Sequence, residues 1–452
     1  MTFLKRSLSL ALATSLLVAC GTDNPGAGPG SARTDDGNPL ATADQRELDA
    51  AAIALYDSNR FEPLRSEAKA AYVAARQQIP STEALSRLDL AIDELVFSAI
   101  QKIINGDPYR PKLYWVNAQP RQWFGLDVPG SRYSYDNPDN IYRIGPVSGD
   151  LRYELRGRRY TPGPSDVTFS LINNPSSQGT EAFLDGRELV VGPDGRYVIT
   201  IDNQPANGRR NHLQSNRDVV QLFIRNNLGH WNTETPDALE LVRVDDSPAP
   251  APRQQAAIVA DAYRSVQEGI VFYGIGALAV KTHANAVNTL PQPQQSATLG
   301  TLVSQANSFG HFRLAEDEAW VITLKRGGAG YFVVPITDPW MITVDPAKHQ
   351  SSLNQAQSVA NTDGSYTFVV SANDPGVANW LDTAGLREGT VMVRWQGLPA
   401  TPLDGGPGVS AEVVKLADLT RRYPGLAGIT PTQRDAALSA RQQGYLRRIA
   451  TP

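Results

Sequence analysis

The sequence predicts a mainly β fold with flanking helices: two β-sandwich or jelly-roll-like domains, plus N-terminal, middle and C-terminal helical segments. Three observations predict it. Two long blocks carry short runs in which apolar and polar residues alternate, the period of a half-buried strand. The 37 Gly and 32 Pro are spread along the chain, as turns between many short strands require. Helical periodicity is found in the segments around and between those blocks.

Taken in order, residues 41–106 read as helical. Thr42 and Gln45 fit a capping box, and Leu85, Leu88, Ile92, Leu95, Val96, Ala99 and Ile103 recur at helical spacing before Gly106 ends the run. Residues 107–246 form the first β-rich domain, of six to nine strands. Val167, Phe169 and Leu171 alternate ahead of Asn173-Asn174-Pro175; Tyr197, Ile199 and Ile201 alternate after Asp194-Gly195. Val220, Leu222 and Ile224, then Leu239 and Leu241, mark further strands. Residues 247–253 are a Pro-rich linker. A helical segment, 254–292, precedes the second β-rich domain, 293–405. Its strands are predicted at Trp320–Leu324, Tyr331–Pro335, Met341–Val344, Tyr366–Val370 and Val391–Trp395, with Asp363-Gly364 as a turn. Residues 406–452 close the chain as a helical segment that opens at Thr430-Pro-Thr-Gln433 and carries Arg447 and Arg448 in its last turn.

The first nineteen residues point to export. Lys5 and Arg6 precede an uncharged stretch, Ser7 to Val18, rich in Leu and Ala and too short to span a bilayer. Leu17-Val18-Ala19-Cys20 resembles the lipobox of bacterial lipoprotein precursors, which implies cleavage before Cys20 and lipidation of its thiol. Cys20 is the single cysteine, so its acylation leaves no thiol for a disulfide, a metal site or a nucleophile. Each buried acyl methylene contributes roughly 0.8 kcal/mol to membrane anchoring. Residues 20–40, rich in Gly and Pro, read as a flexible tether. Gly21 stands where lipoproteins retained in the inner membrane typically have Asp, so the resemblance implies an outer membrane, facing the periplasm, in a Gram-negative host. Loss of Lys5 and Arg6 takes the formal net charge from −4 to −6. With no basic block, nucleic acid is excluded as a partner class. The apolar stretch Gly269–Val280 is closed by Lys281 and is too short for a membrane span.

Chemistry-bearing motifs are sparse. Gly274-Ile-Gly276-Ala-Leu-Ala279 matches the dinucleotide fingerprint in letters, but it follows a helical pattern and lacks the downstream acid, so it reads as a helix contact. The five histidines, His212, His230, His283, His311 and His349, lack metal-pair spacing; no cofactor is expected. The segment Ser134-Tyr135-Asp136-Asn137-Pro-Asp139-Asn140-Ile-Tyr142 concentrates carbonyl, carboxylate and phenol groups. It suits a polar ligand or a hard cation, and more readily a plain turn, since Asn, Pro and Asp are the preferred turn residues. Asn211-His212 and the run His230-Trp231-Asn232-Thr233-Glu234 bracket a predicted strand. His212 with Glu234, or His311 beside Glu316-Asp317-Glu318, are candidates for acid–base work; the acidic run also suits a solvated edge. Trp123, Asn379-Trp380 and Arg394-Trp395-Gln396 place aromatic faces beside hydrogen-bonding groups, which suits sugars, amphipathic ligands or ordinary cores.

Trp340-Met-Ile-Thr-Val-Asp345, Ser351-Ser-Leu-Asn354, Asp363-Gly-Ser-Tyr366, Asp374-Pro-Gly-Val-Ala-Asn379-Trp380-Leu381 and the strand ending Arg394-Trp395 resemble the bacterial domain-of-unknown-function family numbered 1214. The first block, with Asn137-Pro-Asp-Asn-Ile-Tyr142, is similar to the 1254-like β-rich region that precedes such domains. Asp382 stands where relatives often have Pro. The resemblance implies a β fold and supplies no catalytic residue.

The expected function is a membrane-anchored, exported accessory lipoprotein of the cell envelope that binds an amphipathic or carbohydrate-like ligand. The ligand-binding candidates are Trp123, Tyr135, Asn137, Asp139, Asn140, Tyr142, Asn211, His212, Trp231, Asn379 and Trp380. The alternative is a cofactor-independent hydrolase or lyase acting on a lipid, steroid or polymer, with His212 or His311 as base and a carboxylate such as Glu234 to orient it.

Overall fold

The computed structural model describes residues 37–295, 304–401 and 403–450. Cys20, the signal and most of the predicted tether lie outside them. Three helices open the described chain: α1 (Ala43–Tyr56), α2 (Glu62–Ala75) and α3 (Thr82–Ile104). Two start on a hydroxyl that accepts an otherwise free amide. Thr42 Oγ1 receives Gln45 N–H at 3.1 Å and Ser81 Oγ receives Ala84 N–H at 3.0 Å.

The first sandwich follows. Its strands are β1 (Tyr114–Val116), β2 (Arg121–Trp123), β3 (Leu126–Val128), β4 (Asn140–Pro146), β5 (Tyr153–Arg158), β6 (Asp166–Ile172), β7 (Thr180–Asp185), β8 (Arg196–Asp202), β9 (His212–Gln214), β10 (Gln221–Asn227) and β11 (Ala238–Arg243). One sheet runs β1-β4-β10-β6-β7 and the other β11-β5-β8-β9, with β2-β3 a separate hairpin. The chain then forms α4 (Gln255–Gly269) and continues as a π-helix, Ile270–His283.

A second sandwich comprises β12 (Gln294–Gln295), β13 (Ala306–Arg313), β14 (Glu318–Lys325), β15 (Tyr331–Thr337), β16 (Ser352–Asn354), β17 (Tyr366–Ser371), β18 (Trp380–Asp382), β19 (Glu388–Gln396) and β20 (Gly408–Lys415). Its sheets run β12-β13-β19-β15-β16 and β18-β17-β14-β20. Strand for strand this repeats the first sandwich. Even the parallel edge pair recurs, β8 with β9 and β17 with β18. The short α5 (Leu419–Arg422) and then α6 (Pro431–Leu446) end the chain, α6 starting on the Thr430–Gln433 capping box.

Each sandwich has its own core, with Leu155, Phe169, Leu171, Leu222 and Ile224 in the first and Trp320, Phe332, Val391, Val393 and Trp395 in the second. The five-stranded sheets are covered on their other faces too, so every residue of β4, β6, β10, β15 and β19 is buried. The helices supply part of that cover through a shared cluster that joins α1–α4 and the π-helix to Trp115, Trp340 and Met392. Gly274, from the fingerprint-like string, lies against α2: a Cβ there would meet the Tyr72 ring at 3.1 Å.

Two predicted boundaries are corrected. Met341–Val344 is not a strand. Asp338 Oδ1 captures the amides of Trp340 (2.9 Å) and Ile342 (3.2 Å), so the run turns, with Met341 at φ 70° and a lone bridge from Thr337 to Thr343. The second sandwich also extends past residue 405: β20 pairs with β14, from Glu318 opposite Lys415 to Lys325 opposite Gly408.

The sandwiches meet at Asp139. Its fully buried carboxylate accepts Trp231 Nε1–H (2.8 Å) from the first half, and the Tyr331 hydroxyl (2.5 Å) and Asn354 Nδ2–H (2.8 Å) from the second. Arg441 and Arg448, from the C-terminal end, stack on Trp231 at 4.0 and 4.5 Å from its ring centroid. Removing the carboxylate strands buried donors, each costing about 1–3 kcal/mol. Asp139→Ala is expected to lower unfolding free energy by about 3–5 kcal/mol, read as a fall in the urea midpoint at unchanged m-value.

Candidate functional site

The outer faces of the two five-stranded sheets converge on one polar cavity of about 50 Å³. Alternation along β10 turns Leu222 and Ile224 into the sandwich core and Phe223 and Arg225 outward. On β19, Val393 and Trp395 point inward while Met392, Arg394 and Gln396 line the cavity. Arg225 and Arg394 thus hold matching places, each two residues before the end of the equivalent strand. Their neighbours Asn227 and Gln396 also match, and Asn227 Nδ2–H donates to Gln396 Oε1 at 2.8 Å.

Both guanidinium groups are buried, Arg225 at 7% and Arg394 at 5% exposure. Burial is the main cause that brings Arg225 down to about 10, and repulsion from Arg394 adds to it. Arg394 donates through Nη2 to the Tyr135 carbonyl, while its Nη1 has no hydrogen-bond partner among the described residues.

The remaining wall is the segment from Tyr133 to Tyr142, with Asn117, Gln178, Gln305 and Tyr273 of the π-helix. Asn117, Ser134 and Tyr135 adopt φ of 56°, 47° and 66°, a region that costs non-glycine residues energy and concentrates at functional sites. The segment is held in that shape by Tyr135 N–H donating to the Met341 carbonyl at 2.9 Å, and by Asn137 Nδ2–H reaching Asn227 Oδ1 (3.1 Å) and the Tyr331 oxygen (3.0 Å). Asn140 Oδ1 has no partner among the described residues.

At one end stands Tyr133. Its oxygen accepts Gln178 Nε2–H at 3.0 Å, and the Lys102 ammonium lies 4.0 Å from its ring centroid. Burial alone would raise this phenol, but the charge and hydrogen bond of Lys102, with the Asn117 amide beside it, outweigh burial and lower it. Lys102 is itself buried, and among the described residues no carboxylate pairs with it.

Of the ligand-binding candidates singled out from sequence, Tyr135, Asn137, Asn140 and Tyr142 line this cavity, beside Ser134 and Asp136 of the same segment and Arg394 and Gln396 of β19. The others serve elsewhere. Asp139 and Trp231 bond each other in the junction. Trp123 donates to Asp49 at 3.0 Å in the helical core. Asn379 Nδ2–H satisfies the carbonyls of Val359 and Thr367, and Trp380 Nε1–H that of Ser371. Asn211 pairs with the Val190 backbone through both amide atoms. His212 meets Thr200 Oγ1 at 2.8 Å and the Gln204 carbonyl at 2.9 Å, and Glu234 accepts from Ser165 and Gly229. They share no partner, and the imidazole–carboxylate bond a hydrolytic base needs is made instead by His349 with Asp382, at 2.7 Å. The acidic run beside His311 pairs outward: Glu316 with Arg387, and Asp317 and Glu318 with Lys415. A hard cation finds little in the Tyr133–Tyr142 segment, where Asp136 is taken by Thr343; no cluster of three metal-ligating groups occurs among the described residues. The sequence reading missed Arg225, Gln178, Lys102 and Tyr133.

His311 packs instead on His283, ring centroids 4.4 Å apart, near Arg76, Arg313 and Glu388. Burial, then repulsion from His311 and Arg76, brings His283 down to about 3, and burial lowers His311 as well. An unfolded histidine takes its proton near 6.5, so this stabilisation is complete above that pH and is lost as pH falls from 6.5 toward 3. Wild type is expected to lose about 3 kcal/mol more than His283→Gln between pH 7 and pH 4.5, read by thermal melts of both proteins.

Residues 314–398 match the family model described as "Protein of unknown function (DUF1214)". No curated protein matches the chain. Among solved structures, an uncharacterized protein from Burkholderia cenocepacia is 26% identical, with a TM-score of 0.67 over 81% of this chain and 100% of that one. The VPA0106 protein from Vibrio parahaemolyticus is 12% identical, with a TM-score of 0.35 over 61% of this chain and 90% of that one. The chain therefore shares the mainly β fold of the Burkholderia protein, and carries a DUF1214 domain at residues 314–398.

Proposed function

We propose that this protein binds a small carboxylate-bearing molecule in the cavity between its sandwiches, with the carboxylate seated between Arg225 and Arg394. One observation carries the reading: Arg394, 5% exposed and with an Nη1 that has no hydrogen-bond partner among the described residues, lines the same cavity as its positional counterpart Arg225. A buried cation without an ion pair is costly, and a second one nearby adds repulsion; a bound anion relieves both. Guanidinium also matches carboxylate geometry better than ammonium does.

Volume narrows the ligand. About 50 Å³ is room for roughly three to five waters, at about 10–15 Å³ of such space each. A whole sugar ring is too large for that space, so the carbohydrate-like ligand expected from sequence gives way to a small acid, or to the acid group of a larger molecule.

The affinity of the wild type for pyruvate, used as a small carboxylate probe and followed by saturation-transfer NMR, is expected to fall at least about tenfold in Arg394→Ala, the loss of one charge-assisted hydrogen bond. Arg394→Lys should retain part of it. Equal affinity in Arg394→Ala would sink the assignment.

We also infer that the body is tethered to a bacterial membrane through a lipidated Cys20, in the outer membrane of a Gram-negative host, from the lipobox-like Leu17-Val18-Ala19-Cys20. Labelled palmitate fed to expressing cells should enter the wild type and not Cys20→Ser, which should leave the membrane fraction. Label in Cys20→Ser would count against the anchor.

A further inference from the structure

The cavity holds, beside its arginines, a tyrosine in surroundings that a binding pocket does not require. Tyr133 is buried at the end of the cavity, and the groups around its oxygen are donors: the Gln178 amide at 3.0 Å and the Lys102 ammonium. Lys102 comes from the last turn of α3, with its charge held against the Tyr133 and Tyr273 rings, at 4.0 and 5.5 Å from their centroids. A buried ammonium with no carboxylate partner among the described residues favours an anion next to it, and the Tyr133 phenol, whose ring it lies against, is able to become one. The lowered phenol of Tyr133 agrees with that geometry.

Resting on the carboxylate-binding reading above, we propose that Tyr133 is a general base that enolises a small 2-oxo acid held by Arg225 and Arg394. The Tyr133 phenolate takes a proton from the carbon next to the ketone. The C–H electron pair becomes the new C=C bond, and the carbonyl pair moves onto oxygen, giving an enolate beside the two guanidinium groups. The reverse step returns a proton from Tyr133, which exchanges with solvent, so no oxidant, metal or co-substrate is needed. A 2-oxo acid fits because a phenolate is a modest base and requires a C–H acidified by a carbonyl. Positioned general bases of this kind contribute about 10²–10⁴-fold. Lys102 is a positioning residue: it acts through Tyr133 and sets the pH at which the base is available.

The full-length protein is incubated in D₂O with pyruvate, and methyl deuteration is followed by NMR beside the saturation-transfer binding signal. The expected result is exchange about 100-fold above buffer, falling to the buffer rate in Tyr133→Phe while pyruvate still binds. In Lys102→Met the rising limb of the pH–rate profile should move to higher pH, which a merely structural lysine would not do. Bound pyruvate that exchanges no faster than in buffer overturns the proposal and leaves the binding reading standing. Undiminished exchange in Tyr133→Phe also overturns it, as does an unmoved pH profile in Lys102→Met for the role of that lysine. Absence of pyruvate binding to wild type refutes the cavity reading, and this one with it.

Discussion

The Asp139 carboxylate is the contact on which the rest of the arrangement depends. It sits in the turn entering β4, accepts a donor from the first sandwich and two from the second, and is wholly buried. Burial raises its pKa and the three donors pull the other way, so its charge is tolerable only while all of them are in place. Tyr331 is shared further with Asn137, and Asn137 with Asn227, so one hydrogen-bonded chain runs from the junction to the cavity wall. A shift of either sandwich would break Asp139 contacts first and the alignment of Arg225 with Arg394 next.

The repeated topology explains why two arginines line one cavity at all. A sandwich of this topology places an outward-facing residue near the end of its central strand, and repeating the sandwich repeats that position. When the two five-stranded sheets are brought together, the matching residues meet: Asn227 with Gln396 as a satisfied polar pair, Arg225 near Arg394 as a repulsive one. The first pair holds the interface, and the second is what the proposed anion site rests on. Left without an anion, the buried Arg394 guanidinium, whose Nη1 has no hydrogen-bond partner among the described residues, is a liability, and such exceptions to polar satisfaction are where function is expected.

Much of this was legible in sequence and some was not, for physical reasons. Helix α3 and strands such as β6 and β8 were readable because one face is apolar and the period is clear. The segment from Ser134 to Tyr142 drew attention through its polar side chains, and six of its residues line the cavity. Arg225 did not, because on an alternating strand the polar phase is ordinarily the solvent face. Here that face is covered by the other sandwich and the helices, a tertiary fact that alternation cannot express. Lys102 went unread because a cation in the last turn of a helix is ordinary; only the packing of Tyr133 and Tyr273 against it sets it apart. Strand β20 was overlooked because it lies at a sheet edge with few buried positions, while Met341–Val344 was read as a strand from an apolar run that Asp338 folds into a turn.

That turn bears on the cavity more than its length suggests. Met341 and Tyr135 are both bulky residues at positive φ, and the Tyr135 amide donates to the Met341 carbonyl. Neither conformation is favourable alone, so each persists because its surroundings over-determine it. For Met341 these are the two amides held by Asp338; for Tyr135 they are the hydroxyl contact with Thr282 of the π-helix and the Arg394 guanidinium on its carbonyl. The strain therefore ties three elements, the turn, the π-helix and β19, to one backbone bend, and that bend carries Tyr133 and Asn137 on either side. A relaxed backbone there would leave the fold intact around its two cores while moving the phenol away from the arginines. On the proposed reading, the energy stored in these two residues is the cost of holding a base and an anion site in one small cavity.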